Sequence, residues 1–177
     1  MFVWTTCRLI VASRGAWQTL ALEQDELPSP AVHPAAVGGV SALFAALVSS
    51  FHPGSDLAYV VRHTLAAISS CVGAAAAAVW LVPNLFSSTE AQRDLLARYA
   101  SVSSLPLAAG GIASVLPHVL LSMLAIAALG CIAYRSGSFG AAVFLNLEGD
   151  KGTRIAAATA LISTLPGLLT LPLCAVR

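Results

Sequence analysis

Between Arg98 and Arg135 the chain runs for 36 residues without an aspartate, glutamate, lysine or arginine. A membrane-spanning helix needs about 20 apolar residues. The stretch is therefore too long for one ordinary span and suits two short spans folded as a hairpin, with a break at Leu116-Pro117. Arginine bounds it on both sides, which places its two ends on the same face of a bilayer. Three further uncharged runs cover 27–55, 63–89 and 155–176. Only 10% of the chain is charged and 58% is apolar, with a mean hydropathy of +0.84. A soluble domain carries about 25% charged residues, so a deficit this large makes lipid the expected solvent.

Spans are predicted near 34–51, 64–85, 100–116, 117–134 and 154–175. The first ends in the turn sequence Phe51-His52-Pro53-Gly54. Basic residues set the orientation. With a cytoplasmic N-terminus, Arg8, Arg14, Arg93, Arg98, Arg135, Lys151 and Arg154 fall inside, against Arg62 and Arg177 outside. An even number of spans would spoil that sorting. The expected fold class is an all-α integral membrane protein, a single membrane domain over 1–177 built as a compact bundle of five transmembrane helices.

Three segments lie outside these spans. Within 1–26, residues 2–22 read as an amphipathic helix in the membrane plane. Phe2, Leu9, Ile10, Ala16, Trp17 and Leu20 share its apolar face, and Arg8 and Arg14 snorkel toward headgroups. Residues 89–98 read as a short polar helix. Thr89 and Gln92 form its capping box, and Asp94–Arg98 is a favourable i,i+4 pair. Residues 136–147 are apolar but too short to span, and are expected as a loop or helix at the cytoplasmic interface.

Ser69, Gly73 and Ala77 form a row of small residues that lets helix backbones approach closely. The row serves either packing within the bundle or a dimer face. Pro83, Pro106, Pro117, Pro166 and Pro172 fall within or at the ends of spans, where each bends or ends a helix. Cys7, Cys71, Cys131 and Cys174 show no metal or disulfide spacing, and the last three read as small packing residues in apolar runs. Arg8 and Arg14 break up what would be the apolar core of a secretory signal. Residues 1–22 hold arginines and no acids, which leaves a mitochondrial transit peptide as the rival reading.

No catalytic constellation emerges. None of the eight acids falls inside an expected span, which argues against a proton relay or an intramembrane aspartyl protease. There is no G-x-S-x-G elbow. Gly149-Asp-Lys151-Gly-Thr153 lacks phosphate-loop spacing and reads as a turn. His63 and His118 stand at span ends as interfacial histidines. No cofactor, metal or nucleic acid is expected, since no ligand cluster and no basic stripe occurs.

With this topology drawn, four places resemble the Yip membrane-protein family in its small bacterial form. They are Arg8-Leu9-Ile10 followed by Trp17 and Glu23, and Val82-Pro83-Asn84-Leu85-Phe86. The third is Leu95-Leu96-Ala97-Arg98-Tyr99-Ala100-Ser101 with Pro106 and Ile112 to Pro117, and the fourth is Tyr134-Arg135-Ser136-Gly137 followed by Glu148 to Lys151. The order of the four covers nearly the whole chain. The family-motif and packing candidates are Arg8, Trp17, Gly73, Tyr99, Pro106, Pro117 and Tyr134.

The resemblance implies a multi-pass protein of the bacterial inner (plasma) membrane, with an organellar membrane as the alternative. Eukaryotic members bind Rab-type GTPases and carry a long cytoplasmic N-terminal arm, which is not expected here, so the resemblance does not extend to GTPase binding. The expected role is non-enzymatic, a membrane-organising, scaffold or trafficking-like function. Its partners would be the lipid bilayer and other membrane proteins, a homo-oligomer included. The alternatives are a small permease or channel subunit, with Gly110-Gly111 lining a path, and an accessory subunit of a larger membrane complex.

Overall fold

The structure, a computed structural model, describes residues 14–22, 30, 32–108, 110, 113, 116 and 119–175. Seven helical segments follow in order among them. They are α1 (Arg14–Leu22), α2 (Val32–Ser50), α3 (Leu57–Phe86), α4 (Glu90–Ser103), α5 (Leu105–Ala108), α6 (Val119–Val143) and α7 (Asp150–Ala175). No strand occurs among the described residues. Three stretches are long and apolar enough to cross a membrane: Leu57–Phe86, Leu120–Val143 and Asp150–Thr170. A shorter apolar stretch, Ala35–Ser50, lies in α2. Leucine, valine and phenylalanine face outward along these helices, as at Leu43, Leu65, Leu120, Leu161 and Leu169. A water-soluble bundle would turn that surface inward.

α3 starts earlier than the expected span at 64. Asp56 caps it, its side chain accepting a hydrogen bond from the Tyr59 backbone N–H at 2.7 Å. That cap satisfies an orphan donor of the first turn and carries the helix past Arg62. Thirty residues at 1.5 Å each reach about 45 Å, longer than the roughly 30 Å hydrocarbon layer. α4 begins at Thr89, whose side chain accepts from the Gln92 N–H at 3.3 Å. In return the Ser88 N–H donates to Gln92 Oε1 at 3.1 Å. Arg98 Nε meets Asp94 Oδ2 at 2.8 Å, so the expected i,i+4 pair forms.

α3 packs on α2 and α7, and α7 packs on α6. α4 and α5 lie against α3 and α6, and each also touches α2 and α7. Residues 99–107 are consequently buried in an unbroken run. α1 packs on α6.

Two expectations change here. The span expected at 100–116 is divided, with α4 ending at Ser103, a turn at Ser104 and α5 following. Pro106 explains the stop, since it has no N–H to bond Val102 and its ring crowds that carbonyl. Within α5 it sits in the first turn, where proline is tolerated. The span expected at 117–134 and the interfacial element expected at 136–147 are largely one helix, because α6 runs unbroken from Val119 to Val143. Arg135 does not end it, as a helix in lipid ends where its backbone breaks rather than where one charge appears. The connection to α7 turns through Asn146 (φ 53°) and Gly149 (φ 74°), both in the left-handed region.

Candidate functional site

The most densely specified place in the fold is where α1 and α4 meet the last turns of α6. Ser136, Gly140 and Phe144 follow at i, i+4 and i+8, forming one ridge. Trp17 crosses all three. Its indole Nε1 donates to Ser136 Oγ at 3.1 Å. Its ring lies so close to Gly140 that a Cβ there would stand 2.7 Å from three ring atoms. It meets Phe144 edge-on with ring centroids 6.0 Å apart. On the neighbouring row, Tyr99 Oη donates to the Gly137 carbonyl at 2.9 Å. The Trp17 and Tyr99 rings are 5.7 Å apart, and both residues are 0% exposed.

This arrangement is a latch. Each aromatic ring fills a slot that small residues leave open, and each polar tip finds an acceptor, as buried Tyr and Trp require. Leu20 and Ala16 are buried beside Trp17, while Leu22 is exposed. The apolar face of α1, expected to lie in lipid, is thus turned onto α6 along Arg14–Leu22. Arg8 and residues 2–13 lie outside the described residues.

Below the latch, the buried serines of the central run close on nearby carbonyls. Ser101 donates to the Pro30 carbonyl, Ser104 to that of Ser101 at 3.0 Å and Ser103 to that of Ala100 at 3.3 Å. Among the described residues no buried side-chain polar atom is left without a partner. No group of three or more His, Cys, Asp or Glu side chains among them could hold a metal ion. His63 is buried in α3, its Nδ1 2.9 Å from the Tyr59 carbonyl and its ring centroid 4.0 Å from that of Tyr59, the planes tilted by 34°.

The other sequence candidates are dispersed. Gly73 faces Pro166 of α7, where an added Cβ would stand 3.0 Å from the proline Cβ. Here the glycine serves packing inside the bundle. Pro106 is fully buried in α5. Tyr134 is half-exposed on α6, beside an open groove of about 380 Å³ between α6 and α7. Pro117 lies outside the described residues. Gly140 and Phe144 were not among the candidates, and Ser136 and Gly137 entered only within the fourth family-like stretch. The signal was present as the Ser136-xxx-Gly140-xxx-Phe144 ridge, hidden because 136–147 was set apart from the preceding span.

Comparison with protein-family models, with curated proteins and with solved structures finds no match to this chain.

Proposed function

We propose that this chain is a non-enzymatic, multi-pass membrane protein of Yip-family type with an organising or scaffold role, seated in a bacterial plasma membrane with its N-terminus in the cytoplasm. In this proposal the chain crosses five times. The divided segment 99–116 supplies the third crossing inside a sheath of the other helices. Its partners are the surrounding lipid and other membrane proteins met along the outward apolar faces.

The observation that carries the proposal is the filling of the bundle's centre. Residues 99–107 occupy the place where a permease would keep a path, and their serines are turned to backbone carbonyls. A broken helix at membrane depth often marks a transport site. Here it is packed on all sides, which supports a rigid body rather than a conduit. The latch adds to that rigidity by tying α1 to α6. It also removes the apolar face of Arg14–Leu22 from any role as a leaflet wedge, so organisation would come from the bundle's shape and its partners.

Reconstitution tests the proposal. Proteoliposomes at rising protein-to-lipid ratio should change in size distribution while staying as tight to ions and small solutes as protein-free vesicles. Solute-selective flux would favour the permease alternative, and vesicles of unchanged size would count against an organising role.

A further inference from the structure

The outward apolar surface of three helices stops at one level. On α7 the exposed leucines Leu161, Leu165 and Leu169 form a stripe, no residue from Ile155 to Ala160 is exposed, and Thr153 and Arg154 are exposed beyond them. On α6 more than half of the positions from Leu120 to Arg135 are exposed, whereas none from Ser136 to Leu145 is. On α3 the exposed Leu65, Ile68 and Val72 lead to Trp80, which is 67% exposed. The polar Asn84 follows one turn later and accepts a hydrogen bond from Arg93. Contacts between the helices show that the three ends coincide. α3 and α7 run antiparallel, since Ala78 and Val82 share a buried cluster with Ile155, and Ala74 shares another with Ala160. Gly73 faces Pro166, where an added Cβ would stand 3.0 Å from the proline. Trp80 lies seven residues after Gly73, and Thr159 seven before Pro166. Between α6 and α7, added Cβ atoms would stand 3.5 Å from Ala156 at Gly137 and 2.8 Å from Thr164 at Gly130. Tyr134 lies three residues before Gly137, and Thr159 three after Ala156. Trp80 and the half-exposed Tyr134 therefore both stand at the level of Thr159, to within about one helical turn.

We propose that the hydrocarbon of the bilayer ends at this plane through Trp80, Tyr134 and Thr159, and that the latch stands beyond it in the headgroup layer. Trp and Tyr collect at membrane–water interfaces, where the apolar ring meets tails and the polar tip meets headgroups. Arg135 is exposed directly after Tyr134, at the level where phosphates lie. The opposite edge follows from α3 alone. Tyr59 precedes Trp80 by 21 residues, about 31 Å of helix, which matches the roughly 30 Å hydrocarbon layer. There Tyr59 stands in a row of amphipathic rings, with centroids 5.3 Å from His52 and 4.0 Å from His63, and Asp56 is exposed one turn farther out. The partner this surface fits is thus a bilayer about 31 Å thick between Tyr59 and Trp80. Gly140 lies six residues past Tyr134 on α6, about 9 Å beyond the plane. The slot that Trp17 fills is accordingly closed against headgroups and water rather than tails. Helices in lipid have no hydrophobic drive to associate, but beyond the plane burying the indole regains it. The placement rests on the membrane setting of the chain and not on the organising role, so the vesicle-size and flux results leave it untouched.

Depth-dependent quenching of the full chain in phosphatidylcholine vesicles tests it. Lipids brominated near the headgroup should quench Trp80 several-fold more than lipids brominated at the chain ends, with Trp80 read as the signal that Trp80→Phe removes. Spin labels on single cysteines, in a chain otherwise free of cysteine, give a second reading. Oxygen, which concentrates in hydrocarbon, should reach labels at Leu65→Cys and Leu161→Cys better than a water-soluble nickel chelate does. At Asp56→Cys and Thr153→Cys the order should reverse. All four positions are exposed, so the labels leave the core intact. Quenching of Trp80 that is equal from both depths, or stronger from the chain ends, would overturn the plane. Oxygen-favoured access at Thr153 would sink the latch into the hydrocarbon and overturn its placement. The opposite order at Leu65, Leu161 or Asp56 would equally overturn the limits set by Tyr59 and Trp80.

Discussion

Trp17 and Gly140 stand so close that the glycine cannot gain a methyl group without meeting the indole at 2.7 Å. The contact joins a nine-residue helix near the start of the chain to the final turns of α6. It is contact between rigid parts, a ring wedged by Tyr99 and Phe144 against helix backbone.

Gly140→Ala should therefore destabilise by about 1–3 kcal/mol, the usual range for overpacking a tight site. In a background where Trp4 and Trp80 are phenylalanine, Trp17 emission should shift to the red as α1 leaves its slot. Combining Gly140→Ala with Trp17→Leu should restore part of the loss, since the smaller side chain makes room. A double variant no more stable than additive costs predict would rule out the wedge.

Ser136→Ala should cost far less, about 0.6 kcal/mol, in line with hydrogen bonds measured between membrane helices. Trp17→Phe removes the donor from the other side. A double-mutant cycle in mixed micelles should give a coupling of that order, and zero coupling would mean that the 3.1 Å contact contributes nothing.

Two glycines should respond with opposite sign. Gly39 in α2 has open space around its Cβ position, whereas Gly73 in α3 faces Pro166 at 3.0 Å. Gly39→Ala should stabilise by about 0.5–1 kcal/mol through helix propensity alone. Gly73→Leu should part α3 from α7 and lower the unfolding midpoint clearly. Equal responses would dismiss the close crossing.

Single cysteines at 56, 94, 118 and 150, in a chain otherwise free of cysteine, test the five-span topology. Positions 94 and 150 should label from one aqueous side and 56 and 118 from the other. Labelling of 94 and 118 from the same side would remove the third crossing.

Membrane character was legible because hydropathy sums over many residues. The same holds for the turn after α2, the Thr89 start of α4 and the Asp94–Arg98 pair, all set by near neighbours in sequence. Trp17 and Tyr99 were singled out, but nothing local showed that they meet, since Trp17 finds Ser136 across 119 positions. The helix end at Val143 was missed because Arg135 was given more weight than the backbone, which carries no break there. The division at Ser104 was missed because hydropathy is blind to whether an apolar run is one helix or two pieces. Pro106 held that information.

The sealed middle of the bundle has a consequence for biogenesis. Residues 99–107 leave the ribosome before α6 and α7 exist, yet the interrupted backbone around Ser104 is tolerated in hydrocarbon only under cover of protein. Its lateral exit into the bilayer must wait for the C-terminal hairpin to arrive. A chain cut after Ala108, or stalled before Asp150, would leave the translocation machinery holding an intermediate that lipid alone does not accept.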